Sequence, residues 1–217
     1  MRMILARHGK ATHNMAFEAY AAGGSGGLHG LSGLQPEAAG LVGVGVRQAR
    51  EAGEYLRRHD LTPDVAFVSP ALRTRQTWAE YRLPITPILD RRLLEQDGGL
   101  FDRLALAETQ ERRDRYAREA ARDPDARPPD GESVRDHLAR VQSWLREVTT
   151  RYPAVTVLAI THYGSFGLLG MLCAGLSLQQ YLAARPGHLA PGCGDVSAYD
   201  LRGHDWERIA VFRNPCR

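Results

Sequence analysis

Short apolar runs that end in polar, chemically active residues are the feature that most constrains the fold of this chain. Met3–Ala6 is followed directly by Arg7 and His8, and Val155–Ile160 leads to His162 after one residue. Runs of this length and composition predict buried strands. Strands that alternate with helices build an α/β fold, whose ligands bind beyond the carboxyl ends of the strands. We therefore expect both histidines to reach the same edge of a sheet.

The other elements are predicted from periodicity and from turn residues. Helices are expected at Val44–His59, after Ser69-Pro70, at Leu104–Arg122, from Gly131 onward and at Gly164–Leu176, and further strands at Val65–Val68, Thr86–Leu89, Val196–Leu201 and Arg208–Phe212. Ser69 is expected to cap the helix that follows it, so that Arg73 falls in the first turn. Met15–Gly43 is glycine-rich and has no regular period, which indicates either a mobile flap over the site or a disordered surface insertion, and its position beside His8 favours the flap.

Length and composition restrict the class of protein. The 217 residues suffice for a single domain over 1–217, and a net charge of +3 is too small and too dispersed to indicate a nucleic-acid partner. Three cysteines without CxxC spacing favour a reducing compartment. We predict no signal segment and no membrane span, because no stretch approaches ~18 apolar residues. We therefore expect a cytoplasmic protein without membrane contacts, and a homodimer is left open as an alternative to a monomer.

The triplet Arg7-His8-Gly9 predicts a specific chemistry. A neutral imidazole beside a guanidinium that stays protonated can attack phosphorus while the guanidinium binds the phosphoryl oxygens. The glycine lets the backbone turn tightly after the strand. We therefore predict phosphoryl transfer through a phosphohistidine on His8.

Lys10 is the only lysine in a chain that otherwise uses arginine as its basic residue. A compact ammonium next to the Arg-His-Gly triplet predicts a point charge for a second anionic group of the substrate. Four other histidines have no metal-ligand spacing and are predicted to be surface residues: His29, His137, His188 and His204.

Several segments together resemble the histidine phosphatase superfamily, the phosphoglycerate mutase-like proteins, in order and spacing. They are Arg7-His8-Gly9 with Asn14, Ser69–Thr77, Leu94-Glu95 with Gly99, and Thr161-His162-Tyr163-Gly164, supported by Gly45–Ala49 and Pro129–Ser133. The resemblance runs from Met3 to at least Gly170. It implies a three-layer α/β/α fold with a mostly parallel central sheet, and insertions at about 15–43 and 98–130 that form a lid over the site.

The resemblance also implies roles for individual residues. His8 would be the nucleophile, Glu95 the proton donor to the leaving alcohol, and Arg7, Arg73 and His162 would bind the phosphoryl group. Substrate binding is further assigned to Asn14, Lys10, His13, Tyr163 and Gly164. No cofactor and no metal is implied, because the arginines supply the positive charge that Mg²⁺ supplies elsewhere.

The resemblance leaves a choice between phosphatase and mutase. The mutase pattern includes a Trp-x-Asp stretch after the first motif and an Arg-His-Tyr-Gly run after the glutamate, where this chain has glycine-rich sequence and Gln96–Gly99. We therefore expect a phosphomonoesterase for a small phosphorylated metabolite, with a mutase as the alternative. Glu95 argues against the branch that acts on phosphohistidine in proteins, which usually lacks it. A non-catalytic binding module is the alternative from a different class, but it would need only the arginines.

Overall fold

The computed structural model describes residues 1–21, 36–103, 106–184 and 189–215. Residues 22–35 of the glycine-rich segment, which include His29, lie outside these residues, as do His188 and Cys216. The described residues form a central sheet with helices packed on both of its faces.

One sheet of six strands organises the described residues. The strands are β1 Arg2–Arg7, β2 Val65–Val68, β3 Ile88–Leu89, β4 Thr156–Thr161, β5 Val196–Arg202 and β6 Asp205–Phe212. Their order across the sheet is β3-β2-β4-β1-β5-β6. The first four are parallel to one another, whereas β5 is antiparallel to β1 and β6 to β5. The predicted mostly parallel sheet is confirmed.

Helices cover the sheet on both sides. They are α1 Thr12–Ala21, α2 Gly43–Arg58, α3 Leu72–Tyr81, α4 Leu100–Arg103, α5 Leu106–Ala120, α6 Val134–Arg151, α7 Tyr163–Cys173 and α8 Leu178–Ala184, with 3₁₀ turns at Pro36–Ala38 and Arg91–Leu93. One apolar cluster joins α6 and α7 to the sheet, and a second joins α2 and α3 to its opposite face. The three-layer α/β/α arrangement is confirmed.

Alternate side chains of the central strands supply the two clusters. Met3 and Leu5 of β1 pack with the α6 cluster, whereas Ile4 and Ala6 pack with the α2 cluster, and all four are fully buried. Successive strand residues point to opposite faces, so a strand covered on both sides has to be apolar throughout. This requirement is the physical reason why the uninterrupted runs in the sequence are strands.

Trp144 of α6 is a large side chain at the centre of its cluster. It is 0 % exposed, and its ring meets the edge of Phe67 with centroids 5.5 Å apart. We expect Trp144→Ala to lower the free energy of unfolding by about 3–5 kcal/mol, because the cavity cannot close fully. Urea unfolding followed by circular dichroism would measure the change, with the exposed Arg146→Ala as the control. A loss below about 1 kcal/mol would contradict this packing.

Two predicted elements differ from the structure. The strand expected at Thr86–Leu89 is confined to Ile88–Leu89, since Pro87 has no N–H to donate to a neighbouring strand. Helix α1 occupies Thr12–Ala21, although an irregular loop was expected from Met15 onward. Its exposed faces include Met15 and Phe17, so the apolar residues form no single buried stripe that periodicity could detect.

Helix α6 begins where the sequence predicts. Ser133 accepts a hydrogen bond from the N–H of Asp136, and the Asp136 carboxylate accepts one from the N–H of Ser133, which together form a capping box. From this cap, α6 runs across the sheet and packs with α7. Within the described part of the chain, no helix has the length and apolar character needed to cross a membrane.

Candidate active site

The carboxyl ends of β1 and β4 bring the two predicted histidines together. Arg7 at the end of β1 is in register with Thr161 at the end of β4, and the His8 N–H donates to the Thr161 carbonyl oxygen at 3.0 Å. The ring centroids of His8 and His162 are 5.2 Å apart. Neighbouring parallel strands end at the same edge, so residues far apart in the sequence share one pocket.

His8 is held in one tautomer by its own loop. Its Nδ1 lies 2.7 Å from the carbonyl oxygen of Gly9 and the residue is 1 % exposed. Because a carbonyl only accepts, Nδ1 carries the proton and Nε2 presents a lone pair. Burial, followed by the charges of Arg73 and Arg7, lowers the pKa of His8 well below its ordinary value. His8 is therefore a neutral imidazole with a nucleophilic Nε2 at physiological pH.

Arg73 connects the two imidazoles. It lies in the first turn of α3, is 4 % exposed, and places Nε 3.2 Å from His8 Nε2 and 3.1 Å from His162 Nδ1. Burial lowers the pKa of Arg73 to about 10, so the guanidinium remains charged at neutral pH. The first-turn position predicted from the sequence is confirmed, and the arginine faces the sheet edge.

Ser69 orients His162. The hydroxyl Oγ lies 2.7 Å from His162 Nε2, and since Nδ1 accepts from Arg73, Nε2 carries the hydrogen and donates to the serine. Burial, and then the charge of Arg73, lowers the pKa of His162 well below its ordinary value. The predicted capping role of Ser69 is wrong, because α3 begins only at Leu72 and its preceding residue is Ala71. The serine faces the pocket instead.

Arg7 approaches the pocket from the end of β1. Its Nη1 donates to the Pro191 carbonyl oxygen at 2.8 Å, and its guanidinium lies 5.2 Å from the centroid of the Tyr163 ring. Its Nε is buried and has no acceptor among the described residues. A phosphoryl oxygen of the substrate would satisfy this donor.

His13 adds a third imidazole from α1. Its ring centroid is 5.7 Å from that of His8, and its Nδ1 is buried without a partner among the described residues. Burial, followed by the charges of Arg73 and Arg7, lowers the pKa of His13 to about 3. His13 therefore lies beside His8, as its assignment to the site requires.

Asn14 follows His13 on α1. Its Oδ1 accepts a hydrogen bond from the Ala11 N–H at 3.0 Å, so its NH₂ group points away from that bond.

Lys10 is less available than the sequence suggests. Its Nζ lies 2.8 Å from Glu18 Oε2 of α1, with the lysine side chain 18 % exposed and the glutamate 59 % exposed. A carboxylate of the protein therefore already shares this charge. Recognition of a second anionic group by Lys10 stays a prediction, and it requires the pair with Glu18 to open.

Glu95 is held by backbone amides. Gly164 N lies 3.1 Å from each carboxylate oxygen of Glu95, and Gln96 N donates to Oε1 at 3.0 Å. The two nearby arginines have other partners among the described residues: Arg91 pairs with Glu37, and Arg92 with Asp90 and Glu147. The carboxylate thus lies at the N-terminus of α7, on the N–H of Gly164, two residues after His162.

Two glycines allow the loop after β1 to touch α2. A Cβ atom on Gly9 would overlap the Gly45 carbonyl, and one on Gly45 would overlap the Lys10 carbonyl. Gln48 accepts from the Lys10 N–H at 2.8 Å and fastens the same contact. The family-like segment Gly45–Ala49 therefore supports the loop that follows β1.

The insertion expected to form a lid contacts α1. The Arg113 guanidinium of α5 lies 5.6 Å from the ring centroid of Phe17 and 5.7 Å from that of Phe101. Phe101 is 6 % exposed, and Asp102 lies 3.6 Å from Arg113. The insertion is therefore joined to the helix that carries His13, and its function as a lid stays a prediction.

Comparison with known proteins decides the family. The family model of the histidine phosphatase superfamily, branch 1, matches residues 3–207. This chain belongs to the histidine phosphatase superfamily. A 2,3-bisphosphoglycerate-dependent phosphoglycerate mutase from Methylobacterium radiotolerans is 38 % identical over 146 residues, which cover 63 % of this chain and 68 % of that protein.

Solved structures of the superfamily share the fold. A structure titled mycobacterial hydrolase 1 has a TM-score of 0.76 and 20 % identity, and the match covers 98 % of this chain and 97 % of that one. Mycobacterial glucosyl-3-phosphoglycerate phosphatase Rv2419c, solved with VO3, has a TM-score of 0.75, 20 % identity and 98 % coverage of both chains. At these identities the structures establish the phosphoglycerate mutase-like fold and no more.

Two residues near the superfamily site were missed by sequence reasoning. Ser69 was read as a helix cap, and His137 was predicted to lie on the surface but is 1 % exposed. Of the other histidines that were predicted to lie on the surface, His204 is exposed as predicted, and His29 and His188 lie outside the described residues. The feature that could have placed Ser69 in the site is its position directly after β2, at the same sheet edge as His8. His137 falls on the same helical stripe as Val134 and Val141, which indicates burial.

Proposed function

We propose that this chain is a metal-independent phosphomonoesterase that acts on a small phosphorylated metabolite through a phosphohistidine on His8. The observation that carries the proposal is the position of Arg73 Nε, within 3.2 Å of His8 Nε2 and 3.1 Å of His162 Nδ1. A neutral nucleophile, a second imidazole and a buried guanidinium surround the volume where a phosphorus atom would lie.

In the proposed reaction, Arg7, Arg73 and His162 bind the phosphoryl oxygens. The lone pair of His8 Nε2 attacks phosphorus in line with the ester oxygen, and the phosphorus–oxygen bond to the alcohol breaks. Glu95 gives its proton to the departing oxygen. Water then attacks the phosphohistidine, Glu95 takes a proton from that water, and phosphate leaves with His8 restored.

A second candidate function is phosphoryl transfer of the mutase type. It is favoured by the similarity to the phosphoglycerate mutase of Methylobacterium radiotolerans. Against it stand the sequence differences at Gln96–Gly99 and in the glycine-rich segment, where the mutase pattern is absent. A mutase also has to keep water from the phosphoenzyme, whereas a phosphatase has to admit it. Phosphatase is therefore the function we favour.

A panel of phosphomonoesters assayed with EDTA present tests the proposal. The protein should release inorganic phosphate from at least one ester, and EDTA should leave the rate unchanged because no step uses a metal ion. A parallel assay would contain 3-phosphoglycerate and catalytic 2,3-bisphosphoglycerate. In it, inorganic phosphate should be released faster than 2-phosphoglycerate is formed. Faster isomerisation would favour the mutase, and binding of phosphate esters without any turnover would favour the non-catalytic module.

Replacing Glu95 by glutamine should slow the reaction according to the leaving group. Glutamine keeps an oxygen that accepts from Gly164 N, but its amide N–H is too weakly acidic to transfer a proton. We expect kcat/KM for phenyl phosphate to fall about 10²-fold, and kcat/KM for p-nitrophenyl phosphate to fall much less, since p-nitrophenolate leaves without a proton. The ratio kcat/KM reports formation of the phosphohistidine and excludes the later water step, which is the same for both esters. Release of each phenol would be followed at ester concentrations well below KM, with Glu111→Gln on the exposed face of α5 as the control. Equal losses on both esters would contradict the role of Glu95.

Several expectations from the sequence stay predictions at this point. They are a single domain over the whole chain, a cytoplasmic location, and the choice between a monomer and a homodimer. The roles of Asn14, His13 and Tyr163 in substrate binding also rest on their places in the pocket and await single substitutions.

A further inference from the structure

Behind Glu95 lies a buried polar pair that the proposed reaction does not use. His137 of α6 is 1 % exposed, and Ser165 in the first turn of α7 is 0 % exposed. His137 Nε2 and Ser165 Oγ are 2.7 Å apart, and Ser165 Oγ donates to the Leu94 carbonyl oxygen at 2.7 Å. The hydroxyl has one proton, which goes to Leu94, so its other bond comes from the Nε2–H of His137. The pair therefore joins α6 and α7 to the residue that precedes Glu95.

Gly164 shows how closely the imidazole approaches the proton donor. A Cβ atom at this position would overlap Glu95 Oε1 and would lie 3.2 Å from His137 Cε1. The carboxylate and the imidazole therefore flank the same backbone carbon, with room for a hydrogen atom only. Gly164 also provides the N–H that both Glu95 oxygens accept. A shift of the His137 ring would move the group that holds the carboxylate.

The pair belongs to a wider set of bonds on the segment that ends at Glu95. Thr161 donates to the Leu93 carbonyl oxygen at 2.7 Å. Arg140 donates to the carbonyl oxygens of Leu94 at 3.0 Å and Glu95 at 3.2 Å. The backbone before the carboxylate is thus fixed from β4, α6 and α7. Such support is what a proton donor needs, because small displacements of a catalytic group reduce the rate strongly.

The imidazole of His137 is uncharged in this setting. Burial lowers its pKa to about 4, although the nearby charge of Glu95 acts in the opposite direction. A neutral ring adds no net charge beside Glu95, and its hydrogen bond goes to Ser165. His137 is therefore suited to fix the carboxylate in space through Ser165 and Gly164, without exchanging protons with it.

We propose that His137 and Ser165 are positioning residues for the proton donor Glu95. Together they hold the Leu94 carbonyl and the first turn of α7, so that the carboxyl group faces the departing oxygen of the ester. This inference rests on the proposed function, in which Glu95 protonates that oxygen. It assigns a role to a buried histidine and a buried serine that lie outside the phosphoryl pocket.

Leaving-group dependence tests the inference. Phenyl phosphate requires a proton from Glu95, whereas p-nitrophenyl phosphate does not. His137→Leu and Ser165→Ala should each lower kcat/KM for phenyl phosphate about 10-fold, and kcat/KM for p-nitrophenyl phosphate less than about 2-fold, because this ratio reports formation of the phosphohistidine and excludes the later water step. His137→Gln, whose side-chain amide can donate to Ser165, should restore most of the rate on phenyl phosphate.

A matched control and a double variant separate positioning from general damage. Ser143→Ala removes a hydroxyl that donates to the Arg140 carbonyl oxygen within α6, and both rates should stay at the wild-type value. In a Glu95→Gln background, His137→Leu should cause no further loss on phenyl phosphate, because the proton donor is already absent. If circular dichroism shows that His137→Leu does not fold, the rates of Ser165→Ala on the two esters decide whether the positioning role holds.

The outcomes distinguish the inference from the proposed function. Equal losses on the two esters, full activity of Ser165→Ala, or an additional loss in the Glu95→Gln background would each overturn the positioning role while leaving the phosphatase intact. A wild-type protein that cleaves neither ester nor any member of the phosphomonoester panel would overturn the proposed function and this inference with it.

Discussion

Replacing His8 with alanine is expected to lower phosphate release by about 10⁴-fold or more, the largest effect in this protein. In the proposed reaction Nε2 of His8 forms the bond to phosphorus, because Nδ1 is held by the Gly9 carbonyl oxygen and Nε2 lies 3.2 Å from Arg73 Nε. Rapid quenching in alkali with a ³²P-labelled ester should trap a labelled histidine in the wild-type protein. The label should be absent from His8→Ala.

Two comparisons make this result decisive. His204→Ala, which alters an exposed histidine in the turn between β5 and β6, should retain the full rate and the full label. A ³²P-labelled residue in the His8→Ala protein would transfer the nucleophilic role to another group, with His13 and His162 as the nearest candidates. Rapid turnover with no labelled intermediate in the wild type would indicate direct attack by water.

Replacing Arg73 with methionine is expected to lower kcat/KM by about 10³-fold. The methionine fills similar space but removes a cation whose Nε lies between His8 and His162. Arg73→Lys should recover little of the loss, because one ammonium cannot reproduce the planar set of donors that a guanidinium directs at a phosphoryl group. Steady-state rates at several ester concentrations would give both kcat and KM.

Arg75 provides a matched control on the same helix. It is exposed, two residues beyond Arg73, so Arg75→Met changes the net charge of α3 equally without touching the pocket. Its kcat/KM should stay within about 2-fold of the wild type, since an exposed charge outside the site contributes little. Similar losses in both variants would show that the general charge of α3, rather than the place of Arg73, accounts for binding.

Much of the site could be predicted because its residues stand at the ends of buried strands. β1, β2 and β4 are apolar on both faces, so their limits are visible in the sequence, and neighbouring parallel strands have to end at one edge. His8 and His162 follow from this rule, and Ser69 obeys it too, although it was interpreted as a helix cap. The helix that carries Arg73 was located by the start signal Ser69-Pro70, which directly follows β2. The resemblance to the superfamily added the role of Glu95, which no periodicity could indicate.

The parts that could not be predicted depend on contacts between distant segments. Helix α1 exposes Phe17 and buries little, so its helical state is set by the surrounding structure rather than by a hydrophobic stripe. The burial of His137 depends on a bond to Ser165, 28 positions later in the chain. The pairing of Lys10 with Glu18 likewise depends on the direction in which α1 leaves the loop. The sequence around one residue does not indicate which distant residue it will contact.

The place of β1 in the sheet has a consequence for biosynthesis. The strand that leads to His8 is synthesised well before its two neighbours, β4 and β5, which begin only at Thr156 and Val196. The Pro191 carbonyl oxygen that accepts from the Arg7 guanidinium also follows Arg7 by 184 positions. Central strands whose partners are remote assemble late. A polypeptide that stops before β5 is therefore expected to release no phosphate, and the proposed activity would arise only after β5 has been synthesised.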